Sequence, residues 1–174
     1  METVKVGKWN YDSKKLPYFE YHGNLPYKYT LKNGKPVKLP NDPWFLLGNY
    51  RLTLFTHVSG EYELISGERA WARINQDKRK NSGKNHTIIQ NNEKQYKLTG
   101  LDSPVVNNEF TKKTFGCGFA NYQYKIDDVY INKNISVKPS NNVKEGSSGF
   151  LLTFEIKNEG QISKKNKYRR IFRR

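Results

Sequence analysis

Residues 119–137 read Phe-Ala-Asn-Tyr-Gln-Tyr-Lys-Ile-Asp-Asp-Val-Tyr-Ile-Asn-Lys-Asn-Ile-Ser-Val. Their spacing decides the fold class. Ala120, Tyr122, Tyr124 and Ile126 alternate with Asn121, Gln123 and Lys125. Asp127-Asp128 turns the chain, and Val129, Ile131, Ile135 and Val137 form a second apolar face, interrupted by Lys133. A two-residue period marks a strand with one face in a core, and two such runs joined by a short turn make an antiparallel hairpin. Downstream, Phe150, Leu152, Phe154 and Ile156 repeat the pattern and stop at Asn158-Glu159-Gly160. Upstream, Leu52, Leu54 and Thr56 face one way, with Arg51, Thr53 and Phe55 on the other. Ser59-Gly60 then turns the chain into Glu61–Ile65, and Ser66-Gly67 into Glu68–Ile74. Two more short strands are predicted near Thr87–Gln90 and Lys94–Leu98. No stretch holds a 3.6-residue period. The expectation is an all-β protein of about ten strands, an antiparallel β-sandwich.

Composition narrows the class further. At 174 residues the chain is one domain's worth. Aromatic residues reach 14%, which argues against wholesale disorder. Apolar runs are too short for a transmembrane helix. The opening residues carry no apolar leader, so a cytoplasmic setting is expected. Cys117 is the single cysteine, which leaves no internal disulfide framework and no cysteine-rich zinc site. His22, His57 and His86 lack the close spacing of a metal pair. No metal and no cofactor is expected.

Three segments differ in character. Residues 1–43 form an extended arm rich in Pro and Tyr, where Pro17, Pro26, Pro36, Pro40 and Pro43 forbid a helix. Extended pieces are expected near Tyr18–Tyr21 and Tyr27–Leu31, with a tight turn at Lys32-Asn33-Gly34-Lys35. Residues 44–160 are the sandwich, and residues 161–174 a basic tail. The net charge of +15 comes from 31 basic and 16 acidic residues. Seven of the basic residues fall in the last eleven positions, so the remainder holds 24 against 16, or +8. Those 24 are scattered, as on a solvated basic surface. Nucleic-acid binding through the Lys/Arg tail is the alternative reading.

Candidate chemistry is sparse. Alternation puts Arg69, Trp71 and Arg73 on one strand face. An aromatic plate flanked by guanidinium forks suits stacking on a sugar ring or a base and gripping hydroxyls or phosphates. It equally suits a tryptophan packed at a domain contact, covered by arginine stems. His57 ends a strand before a turn, where such a histidine is first a satisfied polar residue and second a hydrogen-bond partner for a sugar. Arg51 starts the same strand. Glu61 and Glu63 share a strand face, but nothing marks either as the desolvated acid of a glycosidase pair. Cys117, between Gly116 and Gly118, reads as a small buried hydrophobe. No phosphate loop and no nucleophile elbow is present.

The order of motifs resembles a known family. Pro43-Trp44-Phe45-Leu46-Leu47-Gly48-Asn49-Tyr50 enters a strand, followed by Ser59-Gly60-Glu61-Tyr62 and by Arg73-Ile74-Asn75. Asp102-Ser103-Pro104-Val105 comes next, then Phe115-Gly116-Cys117-Gly118-Phe119 and the strand closing in Asn158-Glu159-Gly160. This resembles the N-terminal β-supersandwich domain, galactose-mutarotase-like in fold, of the cellobiose phosphorylase family and its glycan-phosphorylase relatives. The match covers about residues 40–160. It departs at Phe115, where the family has histidine, and around Gly60, flanked here by Ser59 and Glu61. The resemblance implies a sugar-handling domain without its own catalytic residues. Its partners would be a glycan and a following (α/α)6 catalytic barrel, with a homodimer in the full-length family. Glycan contacts would then run through Trp71, Arg69, Arg73, His57 and Arg51.

The tail departs from that pattern. Another strand is expected after Gly160, and a run dominated by Lys and Arg follows instead. With suitable codons, shifting the frame by one base yields Lys-Ile-Asn-Ile-Glu-Glu-Tyr-Phe, an alternating strand. The reading is therefore a truncated or frameshifted front end of a larger carbohydrate-active enzyme.

Overall fold

The computed structural model describes residues 7–22, 44–66, 73–74, 86–91, 93–100, 103–106, 108–140, 142, 144–160 and 166–171. For 65, 66, 73, 74, 86 and 166–171 the description is limited to backbone placement. Thirteen strands are present among them. They are β1 (Gly7–Tyr11), β2 (Pro17–Tyr21), β3 (Trp44–Asn49), β4 (Leu52–His57), β5 (Tyr62–Ser66), β6 (Arg73–Ile74) and β7 (His86–Asn91). The rest are β8 (Lys94–Lys97), β9 (Lys112–Gly116), β10 (Phe119–Ile126), β11 (Val129–Ser136), β12 (Leu151–Asn158) and β13 (Asn166–Ile171).

All pairings among the described residues are antiparallel, so the expected all-β antiparallel class holds. The strands form sheets in the orders β1-β2-β9-β10-β11-β12, β3-β4-β5-β6 and β13-β7-β8. Among the described residues no helix is long and apolar enough to cross a membrane.

The β10–β11 hairpin is the spine. Ala120, Tyr122, Tyr124 and Ile126 are buried, as are Val129, Ile131, Ile135 and Val137. The six-stranded and four-stranded sheets meet through aromatic contacts. Phe45 on β3 stacks on Phe115 on β9 at 3.8 Å between ring centroids, and Phe19 on β2 reaches Phe45 at 5.7 Å. Phe115, the position where the resembled family has histidine, is thus a core residue, only 2% exposed.

Two segments set apart by composition are built into sheets. Residues 7–21 of the arm supply β1 and β2, and β2 pairs with β9 from Tyr18↔Gly116 to Tyr21↔Lys113. Pro17 is tolerated because it opens β2 at an end of the β1 pairing. The second predicted piece and the Asn33-Gly34 turn lie outside the described residues. Within the basic tail, β13 pairs with β7 from Asn166↔Asn91 to Ile171↔His86. β13 is an edge strand of its sheet, a position where charged residues are common.

Candidate functional site

The sequence pointed to five residues, of which the structure describes the side chains of Arg51 and His57. Arg69 and Trp71 lie outside the described residues. Arg73 is in β6, with its backbone paired to Ile65. Arg51 is exposed beside the start of β4 and His57 ends that strand, which separates them by about 20 Å at the usual rise.

His57 is only 3% exposed and belongs to a lock on the β4–β5 turn. Its Nδ1 sits 2.7 Å from the Ser59 hydroxyl, which donates to Glu61 Oε2 at 2.9 Å. The His57 N–H donates to the Glu61 carbonyl at 2.8 Å, and the Gly60 N–H to the His57 carbonyl at 2.9 Å. Trp44 covers the imidazole at 4.7 Å between ring centroids. A nucleophilic triad puts histidine between serine and carboxylate. Here the hydroxyl is in the middle and Ser59 is fully buried, so the cluster closes a turn. His57 is the satisfied residue of its first reading, and Glu61 is tied to Ser59.

The opposite sheet holds this turn from below. Tyr122 donates its hydroxyl to the His57 carbonyl at 2.8 Å, and Lys133 donates to the Gly60 carbonyl at 2.6 Å. Tyr124 reaches the Leu98 carbonyl at 2.9 Å. Lys133, which interrupts the apolar face in the sequence, points inward and is fully buried, with the Tyr122 ring 5.3 Å from its ammonium. Lys113, Tyr122 and Lys133 form one inward row across β9, β10 and β11, and Tyr21 continues it on β2.

This row has a pH signature. Burial lowers the Lys113 ammonium from 10.5 to about 8. Between those values the unfolded chain binds a proton that the folded chain does not, so stability rises with pH. Burial also drives the Tyr122 and Tyr124 phenols well above their ordinary range. Above pH 10 the unfolded chain loses phenolic protons that the folded chain keeps, so stability falls. Urea unfolding measured from pH 7.5 to 11 is expected to show a rise on the order of 2 kcal/mol above pH 8, then a decline. Lys113→Met should flatten the rise and leave the decline; a rise that survives the substitution would remove Lys113 as its source.

The outer face of the six-stranded sheet presents different chemistry. Thr114, Asn121, Asn134 and Thr153 form one row across β9–β12, and Lys112, Gln123, Asn132 and Glu155 the next. Asn121 Nδ2 donates to Asn132 Oδ1 at 2.6 Å and links the rows. Phe119 lies at one end, its ring across Gly116, where a side chain would collide with it. Tyr130 lies at the other end, 39% exposed, with Lys125 5.2 Å from its ring. Three row spacings separate these aromatics, about 20 Å along the strands. Apart from Lys112, the residues of these rows line a shallow trough of about 720 Å³ together with Phe119 and Phe154.

Carboxamides offer acceptor and donors on one rigid plane, which is what paired hydroxyls require. The face carries both signs of charge, with Glu155 and Glu20 on the acidic side and Lys112 and Lys125 on the basic side. The alternation assigned Asn121 and Gln123 to the solvent side, but the composition of the assembled face needed the register of four strands. Among the described residues no three His, Cys, Asp or Glu side chains converge on a metal position. Compared with protein-family models, curated proteins and solved structures, the chain has no match in any of the three.

Proposed function

We propose that this chain is a carbohydrate-binding β-sandwich without catalytic residues of its own, the accessory domain of an enzyme that cleaves or phosphorolyses glycosidic bonds. The observation that carries the reading is the amide-lined trough across β9–β12 with Phe119 in its lining, on a face where Tyr130 is exposed farther along the strands. Asn121, Asn132, Asn134 and Gln123 would meet sugar hydroxyls, while Phe119 and Tyr130 would stack on ring faces. The ligand is a neutral glycan chain, since amides outnumber charges in the trough and Lys112 and Glu155 in one row offset each other. The motif order resembling the cellobiose phosphorylase N-terminal domain supports the same class and a catalytic barrel as partner. Trp44 (38% exposed), Leu46 (65%) and Tyr50 (60%) supply apolar surface for such a contact. Phe45, which belongs to the same motif, packs inward on Phe115.

Affinity electrophoresis and calorimetry against neutral soluble polysaccharides and their oligomers test the proposal. Asn132→Ala with Asn134→Ala is expected to weaken binding at least about tenfold, from two lost hydrogen bonds at ~1 kcal/mol each. The fold should persist, because both residues face outward. No binding across the panel, or binding indifferent to the pair, would reject the trough. A single-stranded DNA probe belongs in the same series. Affinity for it that collapses between about 50 and 200 mM salt, with no glycan binding, would favour the basic nucleic-acid reading.

A further inference from the structure

The outer face of the six-stranded sheet does not end where the trough does. Phe119, at the end of the trough, shares its row with Ser136 on β11 and Leu151 on β12. From that row the face opens into a groove of about 570 Å³. One wall is the β9–β10 turn at Gly118 together with Ser136 to Pro139, and the other runs from Ser147 to Leu151. Asn49 ties the walls together, its Nδ2 donating to the Lys138 carbonyl at 3.1 Å and to the Ser147 carbonyl at 2.9 Å. Gly118 has φ of +79°, and a Cβ there would lie 2.9 Å from the Pro139 ring. The groove is therefore built from pinned backbone.

Its chemistry differs from that of the trough. Pro139 and Leu151 give apolar surface, and Leu151 is 61% exposed. Ser136 and Ser147 bring hydroxyls, and Lys138 is the one charged residue among the described residues that line it. Among the described residues no carboxylate pairs with the Lys138 ammonium. On the loop outside the groove Lys144 and Glu145 offset each other, and the Arg51 stem lies against Gly146.

We propose that this groove is the end of the glycan site and takes a terminal uronate, with the sugar carboxylate on Lys138 and its hydroxyls on Ser136 and Ser147. The inference rests on the trough binding a glycan chain. A chain laid along the amide rows passes Phe119 and enters the groove without leaving the sheet face. There it meets one positive charge, two hydroxyls and apolar surface. A uronate is the sugar that matches all three, since it joins a carboxylate to hydroxyls and an apolar ring face. The body of the chain stays neutral, and the charge is confined to its last sugar.

Titration of D-glucuronate and D-galacturonate into the native full chain, followed by backbone amide NMR shifts, tests the groove apart from the trough. Shifts at Gly118, Ser136 and Leu151 are expected to report an affinity about fivefold above that for glucose and galactose, the size of an exposed ion pair. Lys138→Gln should erase that preference without touching the fold, because the side chain is exposed. Salt at about 0.5 M should erase it too. Asn132→Ala with Asn134→Ala should leave the uronate affinity unchanged, so failure of the trough and failure of the groove are told apart. Equal affinity for uronates and neutral sugars, a preference that survives Lys138→Gln, or acetate binding as tightly as the uronates would each overturn the assignment.

Discussion

Gly60→Ala is expected to cost about 4 kcal/mol of folding stability. Gly60 has φ of +82°, where an L side chain adds about 1–2 kcal/mol of backbone strain. The added Cβ would also lie 2.8 Å from the Tyr124 hydroxyl and 2.9 Å from the Leu98 carbonyl. Those two groups are hydrogen-bonded to each other, so neither can withdraw without breaking that bond. Moving the turn instead breaks the bond from Lys133 to the Gly60 carbonyl. Every route of relief loses a buried hydrogen bond, at about 1–3 kcal/mol. Urea unfolding of Gly60→Ala beside Gly149→Ala measures it, since a methyl group at Gly149 meets only Ser147 Oγ at 3.9 Å. A cost below about 1 kcal/mol for Gly60→Ala would mean that the β4–β5 turn is not clamped.

Lys133 is the second large effect, and two substitutions separate its parts. Lys133→Ala removes a fully buried stem and leaves the Gly60 carbonyl without this donor. The cavity and the lost bond together are expected to cost about 3–5 kcal/mol. Lys133→Met keeps the packed volume and removes a buried charge, whose desolvation opposes folding. Its expected cost is about 1–2 kcal/mol. The gap between the variants measures how far Lys133 acts as a hydrocarbon spacer under the turn. Equal losses would assign the whole effect to the ammonium. A stabilising Lys133→Met would mean that desolvation outweighs the bond to Gly60.

The spine of the fold was legible because its polar and apolar residues alternate without error from Ala120 to Ile126. The same rule misplaced the significance of Lys133. Charge suggests an interruption of the apolar face, yet the strand period holds the residue inward, where the Gly60 carbonyl across the gap accepts from it. Local pattern also missed the membership of β1, β2 and β13, because nothing in Gly7–Tyr21 or Asn166–Ile171 names the strand that receives it. His57 was legible as a residue beside a turn, and the structure adds the lock it makes with Ser59 and Glu61. The trough was invisible for a related reason. Asn121, Asn132, Asn134 and Thr153 are ordinary solvent-side residues one by one, and they become a surface only when four strands fix their register.

The pairing of β2 with β9 also bears on how the chain is made. Tyr21 and its partner Lys113 are 92 positions apart in sequence. A ribosome adding about 5–20 residues per second needs roughly 5–20 seconds to cover that interval. Through that time the hairpin carrying Trp9, Phe19 and Tyr21 has an unpaired edge and no sheet to join. The strand that receives it is itself flanked by β10, which is completed by β11 and β12 later still. Assembly is therefore end-loaded: the six-stranded sheet closes on both sides only once most of the chain has left the exit tunnel. The nascent protein passes its most aggregation-prone period early, when these aromatic side chains are the part of it in most need of a chaperone.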